Sequence, residues 1–185
     1  MPRQLCMDIC RERGFSDVLI ETSRYVNAMT KMPNVSIAVD IAHVKKCALL
    51  DKVHDLVMQF LENVPEKKAV FFFSNKTLLR ESLRRLKDNA SVVGVDADME
   101  DGAKLAVFKD FENRHSTARV VIGTKLISNG LDCSSVKFVC LVDCTVSMID
   151  YLQMTGRIRS SGYVRVLTVG NNNRYFKVSS GTWRP

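Results

Sequence analysis

The feature that most constrains the fold is a repeated alternation between short apolar runs and longer segments with helical periodicity. The runs are rich in Val and Phe, and several are apolar at consecutive positions, as in strands buried on both faces. Strands are predicted at residues 35–41, 69–73, 91–95, 119–123, 136–142 and 163–169. Helices are predicted at residues 43–62, 75–88, 101–114 and 147–156. The sequence therefore predicts an α/β fold, with a parallel sheet of about six strands and helices on both faces.

The charge distribution points to a polyanionic partner. The 185-residue chain has a formal net charge of +7, and residues 151–185 contain Arg and Lys without any Asp or Glu. The basic residues there are Arg157, Arg159, Arg165, Arg174, Lys177 and Arg184. A locally basic surface binds the phosphates of a nucleotide or of a nucleic acid, although a solvated basic tail would have the same composition.

The cysteines indicate a reduced, intracellular protein without a metal site. The chain has six cysteines and no Cys-x-x-Cys pair, and several lie in apolar runs, which is typical of thiols in a core. The sequence shows no signal peptide, and its apolar runs are far shorter than the ~20 residues of a membrane span. We therefore expect no membrane partner.

One segment whose side chains could bind a ligand covers residues 121–132. Thr124 and Lys125 follow a predicted strand, where a hydroxyl, an ammonium and backbone N–H groups could hold a phosphate. Gly130 would let a ligand approach the backbone, and Asp132 can accept hydrogen bonds from ribose hydroxyls. Each has a structural alternative, since Thr124 could cap a helix, Gly130 could end one, and Asp132 could form a turn.

A second segment, at residues 153–159, contains Gln153, Gly156, Arg157 and Arg159 near the end of a predicted helix. A guanidinium in such a place can pair with a phosphate. The structural alternative is a basic helix end that is favoured by the helix dipole.

The strand at 69–73 ends in two small polar residues, Ser74 and Asn75. Either residue could cap the next helix, and the same helix start could receive a phosphate. That helix carries a basic stripe, for which a solvated face is the favoured interpretation: Lys76, Arg80, Arg84 and Lys87. The acidic residues that follow, between 96 and 101, suit a helix start better than a phosphate contact.

These segments resemble motifs IV, V and VI of superfamily 2 helicases, which lie on the second RecA-like lobe of that family. The resemblance covers about residues 31–169 and implies a RecA-like parallel sheet. The Lys-Phe-Val strand at 137–139 and the Gln-x-Thr-Gly-Arg sequence at 153–157 look most similar to RecQ-type DNA helicases. The Gly-Arg-Ile-Arg order also resembles the telomere-linked helicases of fungal subtelomeres.

The resemblance implies three sets of site residues. The catalytic residues would be Arg157, Arg159 and Gln153. The nucleotide-binding residues would be Gly130, Asp132 and Gly156. The nucleic-acid-binding residues would be Ser74, Asn75, Thr124 and Lys125. The family's second arginine stands three positions after the first, whereas Ser160 occupies that place here, so Arg157 is the stronger candidate for an arginine finger.

The sequence lacks the motifs of a first, ATP-binding lobe. It has no Gly-x-x-x-x-Gly-Lys-Ser/Thr loop and no Asp-Glu pair that would hold a metal ion. ATP with its Mg²⁺ would therefore be bound mainly by an N-terminal RecA-like lobe that this chain does not contain. The isolated chain is expected not to hydrolyse ATP. The expected nucleic-acid partner is DNA in preference to RNA, which implies a nuclear location.

The predicted organisation has three parts. Residues 1–34 form the end of a preceding lobe and a linker, residues 35–170 form the helicase C-terminal RecA-like domain, and residues 171–185 form a basic tail. Two alternatives stay open. The chain could be a non-catalytic helicase remnant that binds nucleic acid or a protein partner, or the same lobe of an RNA helicase or a double-stranded-DNA translocase.

Overall fold

A computed structural model describes residues 37–125, 127, 130–144, 148–159 and 161–169. The predicted linker region at 1–34 and the predicted tail at 171–185 lie outside these residues. Six parallel strands form a sheet with the order β1-β6-β5-β2-β4-β3. The strands are β1 Ile37–Val44, β2 Lys68–Phe73, β3 Val92–Val95, β4 Val120–Thr124, β5 Val136–Val142 and β6 Gly162–Val169.

The helices cover both faces of this sheet. They are α1 Leu49–Asn63, α2 Lys76–Arg85, α3 Asp101–Glu112 and α4 Met148–Thr155. Alternate side chains of β2 enter different cores, because successive residues of a strand point to opposite faces. Val70 and Phe72 pack in the core that includes residues of α3 and α4. Ala69, Phe71 and Phe73 pack in the core that includes residues of α1 and α2. The predicted fold class is confirmed.

The predicted start of the first helix, at residue 43, is wrong. β1 pairs with β6 along its whole length, as far as Val44 opposite Val169. His43 lies in this pairing, with its Nδ1 2.7 Å from the hydroxyl oxygen of Thr168. A single 3₁₀ turn, Lys46–Ala48, then leads into α1.

The described cysteines are free thiols. Cys133, Cys140 and Cys144 are buried as predicted, and burial raises the pKa of Cys144 to about 12. Cys47 is exposed, so the prediction of a core position is wrong for this residue.

Two basic side chains at the amino edge of the sheet donate hydrogen bonds to carbonyls at the C-terminal ends of two helices. Arg119, just before β4, donates from Nη1 to the carbonyl of Leu61 (3.0 Å) and from Nη2 to that of Val64 (2.6 Å), at the end of α1. Lys68 donates from Nζ to the carbonyls of Phe111 and Asn113, at the end of α3. Cations favour helix C-termini, where carbonyls lack partners within the helix. These contacts fix the edge of the sheet opposite the candidate site.

Candidate functional site

The four residues predicted to contact nucleic acid lie at the carboxyl edge of two neighbouring strands. β2 and β4 pair so that Phe73 stands opposite Thr124. Ser74 therefore follows β2 beside the end of β4, and neighbouring strands lie about 4.8 Å apart. Ser74, Asn75 and Lys125 are exposed, and Thr124 is half-buried. Ligands of open parallel sheets bind at such an edge.

Asn75 caps α2. Its Oδ1 accepts a hydrogen bond from the backbone N–H of Leu78 at 2.9 Å, and its Nδ2 lies 3.4 Å from the hydroxyl oxygen of Ser74. The structural alternative considered for this pair is thus present for Asn75. Ser74 is held through its backbone N–H, which donates to the carbonyl of Val142 at 3.2 Å.

Lys125 is tied to the start of α4. Its Nζ lies 2.5 Å from Oδ1 of Asp150, whose side chain is only 19% exposed. Asp150 stands in the first turn of α4, where a carboxylate is favoured by the helix dipole. This ion pair joins the segment after β4 to the helix that leads to the arginines.

A second set of contacts joins Leu131 and Asp132, which follow Lys125 in the chain, to the arginines that follow α4. Arg157 donates from Nη1 to the carbonyl of Leu131. Arg159 donates from Nη2 to Oδ1 of Asp132 at 3.0 Å. The backbone N–H of Asp132 donates in turn to Oε1 of Glu112 at 2.8 Å, at the end of α3. Side chains of α3 and of the residues after α4 therefore hold the Leu131–Asp132 segment, which we call the clasped segment.

Arg157 is half-buried and held by backbone carbonyls. Besides the bond to Leu131, its Nε donates to the carbonyl of Gln153 at 3.2 Å. Burial, together with the charge of Arg159, lowers the pKa of Arg157, and the carboxylate of Asp132 acts against that shift. Guanidinium has five N–H donors, so these two bonds, counted among the described residues, leave capacity for further acceptors. The exposed Gln153 contributes its carbonyl to this arrangement.

Gly130 and Gly156 both stand where a side chain would collide. A Cβ atom at Gly130 would lie 2.7 Å from Cε2 of Phe108 on α3. At Gly156 it would lie 2.7 Å from the carbonyl oxygen of Leu152, a backbone atom of α4. The contact with backbone therefore explains Gly156 structurally, whereas at Gly130 the ring of Phe108 would have to move.

Replacing Gly156 by alanine is expected to destabilise the chain by about 1–3 kcal/mol, because the end of α4 must shift to relieve the contact. Gly102→Ala is the matched control, since a Cβ there meets no atom within 4 Å. That substitution should instead stabilise α3 by about 0.5–1 kcal/mol. Urea unfolding measures both changes. Equal unfolding free energies for the Gly156 variant and the unmodified chain would contradict the expected collision.

Three contributors to this site escaped the sequence analysis: Asp150, Glu112 and Phe108. Asp150 carried one usable signal, because a carboxylate in the first turn of a predicted helix is a favourable position. The contacts of Glu112 and Phe108 with the 121–132 segment depend on how α3 packs, which no local pattern reveals.

The six-stranded parallel sheet with helices on both faces defines the class of protein, an α/β protein with a RecA-like lobe. The chain belongs to the family described as helicase conserved C-terminal domain, whose sequence model matches residues 49–162. The predicted family membership is confirmed.

Three similar proteins share between 14% and 26% of their aligned residues with this chain. A Y' element ATP-dependent helicase of Saccharomyces cerevisiae is 26% identical over 171 residues, covering 90% of this chain and 12% of that protein. This chain thus spans only a small part of the length of that relative. The E. coli DEAD-box protein SrmB superposes with a TM-score of 0.60 at 16% identity, covering 77% of this chain and 81% of that one. Domain 2 of the Mss116p DEAD-box helicase, bound to an RNA duplex, has a TM-score of 0.57 at 14% identity, covering 74% and 55%. These two structures show the fold alone.

Across the described ranges, no helix combines the length and the apolar character that a membrane crossing requires. In the same part of the chain, no three His, Cys, Asp or Glu side chains gather as metal ligands would.

Proposed function

We propose that this chain is the C-terminal lobe of an ATP-dependent helicase that acts on DNA. In this proposal Arg157 and Gln153 act at the γ-phosphate of ATP, and Gly130, Asp132 and Gly156 meet the nucleotide. Arg159 holds Asp132 in place. Ser74, Asn75, Thr124 and Lys125 contact the sugar-phosphate backbone.

The observation that carries the proposal is the clasped segment. Arg157 and the Leu131–Asp132 backbone meet there, so a cation and a hydrogen-bonding turn lie side by side. A nucleotide offers both kinds of partner, because its phosphates attract guanidinium and its ribose hydroxyls donate to carboxylates. The ion pair between Lys125 and Asp150 connects this region to the edge proposed for nucleic acid.

The residues present suit one side of a nucleotide and offer few ligands for its Mg²⁺. Asp132, the carboxylate that acts on the pKa of Arg157, is already paired with Arg159. We therefore assign ATP binding and the Mg²⁺ ligands mainly to an N-terminal RecA-like lobe. When bound there, ATP supplies the free energy of hydrolysis. This lobe supplies the arginine and part of the nucleic-acid surface, and closure of the two lobes would bring them together.

The similar proteins support a helicase lobe, but they do not identify the nucleic acid that this chain binds. The curated relative is described as an ATP-dependent helicase, and the Mss116p domain is described as bound to an RNA duplex. DNA as the partner, a RecQ-type subdivision and a nuclear location rest on the motif resemblance and stay predictions.

Binding of a labelled single-stranded oligonucleotide to this chain tests the nucleic-acid half of the proposal. Thr124→Val keeps the side-chain shape but removes the hydroxyl, and we expect about tenfold weaker binding because hydrogen bonds to charged groups are strong. Thr117→Val, an exposed position before β4 at the opposite edge, is the control and should bind normally. Fluorescence anisotropy with DNA and RNA of one sequence gives the affinities.

The outcomes separate the alternatives. Tighter binding of RNA than of DNA would replace the proposed substrate by RNA. Equal affinity of the two threonine variants would remove Thr124 from the interface. If the chain binds neither polymer at low salt, the nucleic-acid role is wrong.

A further inference from the structure

Four charged side chains form connected ion pairs on α2 and the turn after β3. Nζ of Lys76 lies 2.5 Å from Oδ1 of Asp98, and Nη2 of Arg80 lies 2.7 Å from Oδ2 of the same carboxylate. Nε of Arg80 lies 2.8 Å from Oδ2 of Asp96. Each of the two carboxylate oxygens of Asp98 thus contacts a different cation, and the oxygens of a phosphate could do the same.

These residues adjoin the edge proposed for nucleic acid. Lys76 is the first residue of α2 and follows Ser74 and Asn75 directly. Asp96 follows β3, which pairs with β4, and β4 ends at Thr124. The ion pairs therefore extend the row of strand ends that carries the proposed phosphate contacts.

The two carboxylates differ in how firmly they are held. The side chain of Asp96 is 16% exposed, and its Oδ1 accepts a hydrogen bond from the backbone N–H of Asp98 at 3.2 Å. Asp98 is 61% exposed, at the tip of the turn. Exposed ion pairs contribute little to stability and are screened by salt, so Asp98 can be exchanged for another anion at small cost.

We propose that Asp98 competes with a nucleic-acid phosphate for Lys76 and Arg80, and that a bound strand replaces its carboxylate. This inference rests on the proposed function, because it assumes that a strand passes this edge. Arg80 remains oriented by Asp96 during the exchange, so its free N–H groups stay directed toward the incoming anion. A polyanion has the advantage over a single carboxylate, since its binding releases condensed counterions. The part of the basic stripe formed by Lys76 and Arg80 is therefore a masked phosphate-binding surface.

The Asp98→Asn substitution removes the competing charge and tests the inference. A labelled single-stranded DNA oligonucleotide should bind about fivefold more tightly at ~0.1 M salt for each phosphate contact that becomes available. The slope of log affinity against log salt concentration should steepen by about 0.7 for each such contact. Adding Lys76→Gln to this variant should reverse most of the gain.

Glu81→Gln is the matched control. Glu81 lies on the same helix, but it pairs with Arg84 at 2.8 Å and Arg85 at 3.3 Å. Both substitutions raise the net charge by one, so an effect of overall charge appears equally in both. We expect the control to bind within about twofold of the unmodified chain, with an unchanged salt slope.

The results distinguish this inference from the proposed function. If Thr124→Val weakens binding while Asp98→Asn and Glu81→Gln behave alike, the masking is wrong and the nucleic-acid role stands. If the unmodified chain shows no salt-dependent binding, the proposed function fails and the inference fails with it. Tighter binding confined to the Asp98 variant supports both.

Discussion

The Arg157→Ala substitution is expected to reduce ATP hydrolysis by about 10³-fold or more when this lobe acts together with an N-terminal lobe. ATP affinity should change little, because in the proposed function the N-terminal lobe makes most of the contacts with the nucleotide. An arginine finger acts on charge that develops in the transition state, so its loss appears in kcat and leaves binding nearly intact. Steady-state ATPase assays of a protein in which this lobe is joined to an N-terminal lobe, with nucleotide titrations, measure both quantities.

The environment of Arg157 suits this role. Its bonding partners are the neutral carbonyls of Gln153 and Leu131, which orient the guanidinium without cancelling its charge. Partial burial lowers its pKa, which reflects a loss of hydration. A poorly hydrated cation interacts more strongly with a phosphate than a fully hydrated one does. Arg159 differs, because its charge is already paired with Asp132.

Arg159→Ala is therefore the informative comparison. It removes one exposed ion pair, and we expect less than about a fivefold loss of turnover. Arg157→Lys keeps the charge but loses the planar fork, so its activity should stay close to that of the alanine variant. A larger loss for Arg159 than for Arg157 would exchange the two assignments. Thermal denaturation of each variant excludes unfolding as the cause.

Much of the fold could be predicted because its strands are visible as short apolar runs in the local sequence. The run at 136–142 coincides with β5, and the run at 69–73 differs from β2 by one residue. Parallel strands have their carboxyl ends at one edge, so the residues that follow them could be placed together before their contacts were known. The order of the strands could not be read in this way. The extension of β1 to Val44 depends on β6, more than a hundred residues away.

Charge pairing is the part of the site that the sequence did not reveal. Periodicity places the basic residues on one face of α2, for which a solvated face is the favoured interpretation. The acidic turn reaches that face only because α2 crosses from β2 to the edge strand β3. Likewise, Asp150 meets Lys125 and Glu112 meets Asp132 through the packing of helices on the sheet. Such pairs depend on tertiary structure, and they change the net charge that a ligand encounters.

Lys68→Met is expected to destabilise the chain by about 2–3 kcal/mol, the second large effect that the structure predicts. Lys68 is 3% exposed, and its ammonium serves the last carbonyls of α3 while lying 4.8 Å from the centre of the Phe111 ring. Methionine fills a similar volume but removes the ammonium, so the carbonyl of Phe111 keeps only the weak Sγ donor of Cys133, and that of Asn113 keeps the N–H of Ser116. Lys67→Met, at the exposed neighbouring position, should change the free energy of unfolding by less than about 0.5 kcal/mol.

The sign of the change in unfolding free energy shows whether the desolvation of the Lys68 ammonium or its favourable contacts are larger. Burial disfavours the charged ammonium, and it lowers the pKa of Lys68 for that reason. The carbonyl bonds, the helix dipole and the aromatic ring favour the cation. We expect the favourable contacts to prevail, because removing the ammonium leaves the buried carbonyl of Phe111 with only a weak thiol donor, Sγ of Cys133. Urea unfolding of the two methionine variants measures the balance. A Lys68→Met chain more stable than the unmodified one would mean that desolvation outweighs those contacts, as it does for some buried ion pairs.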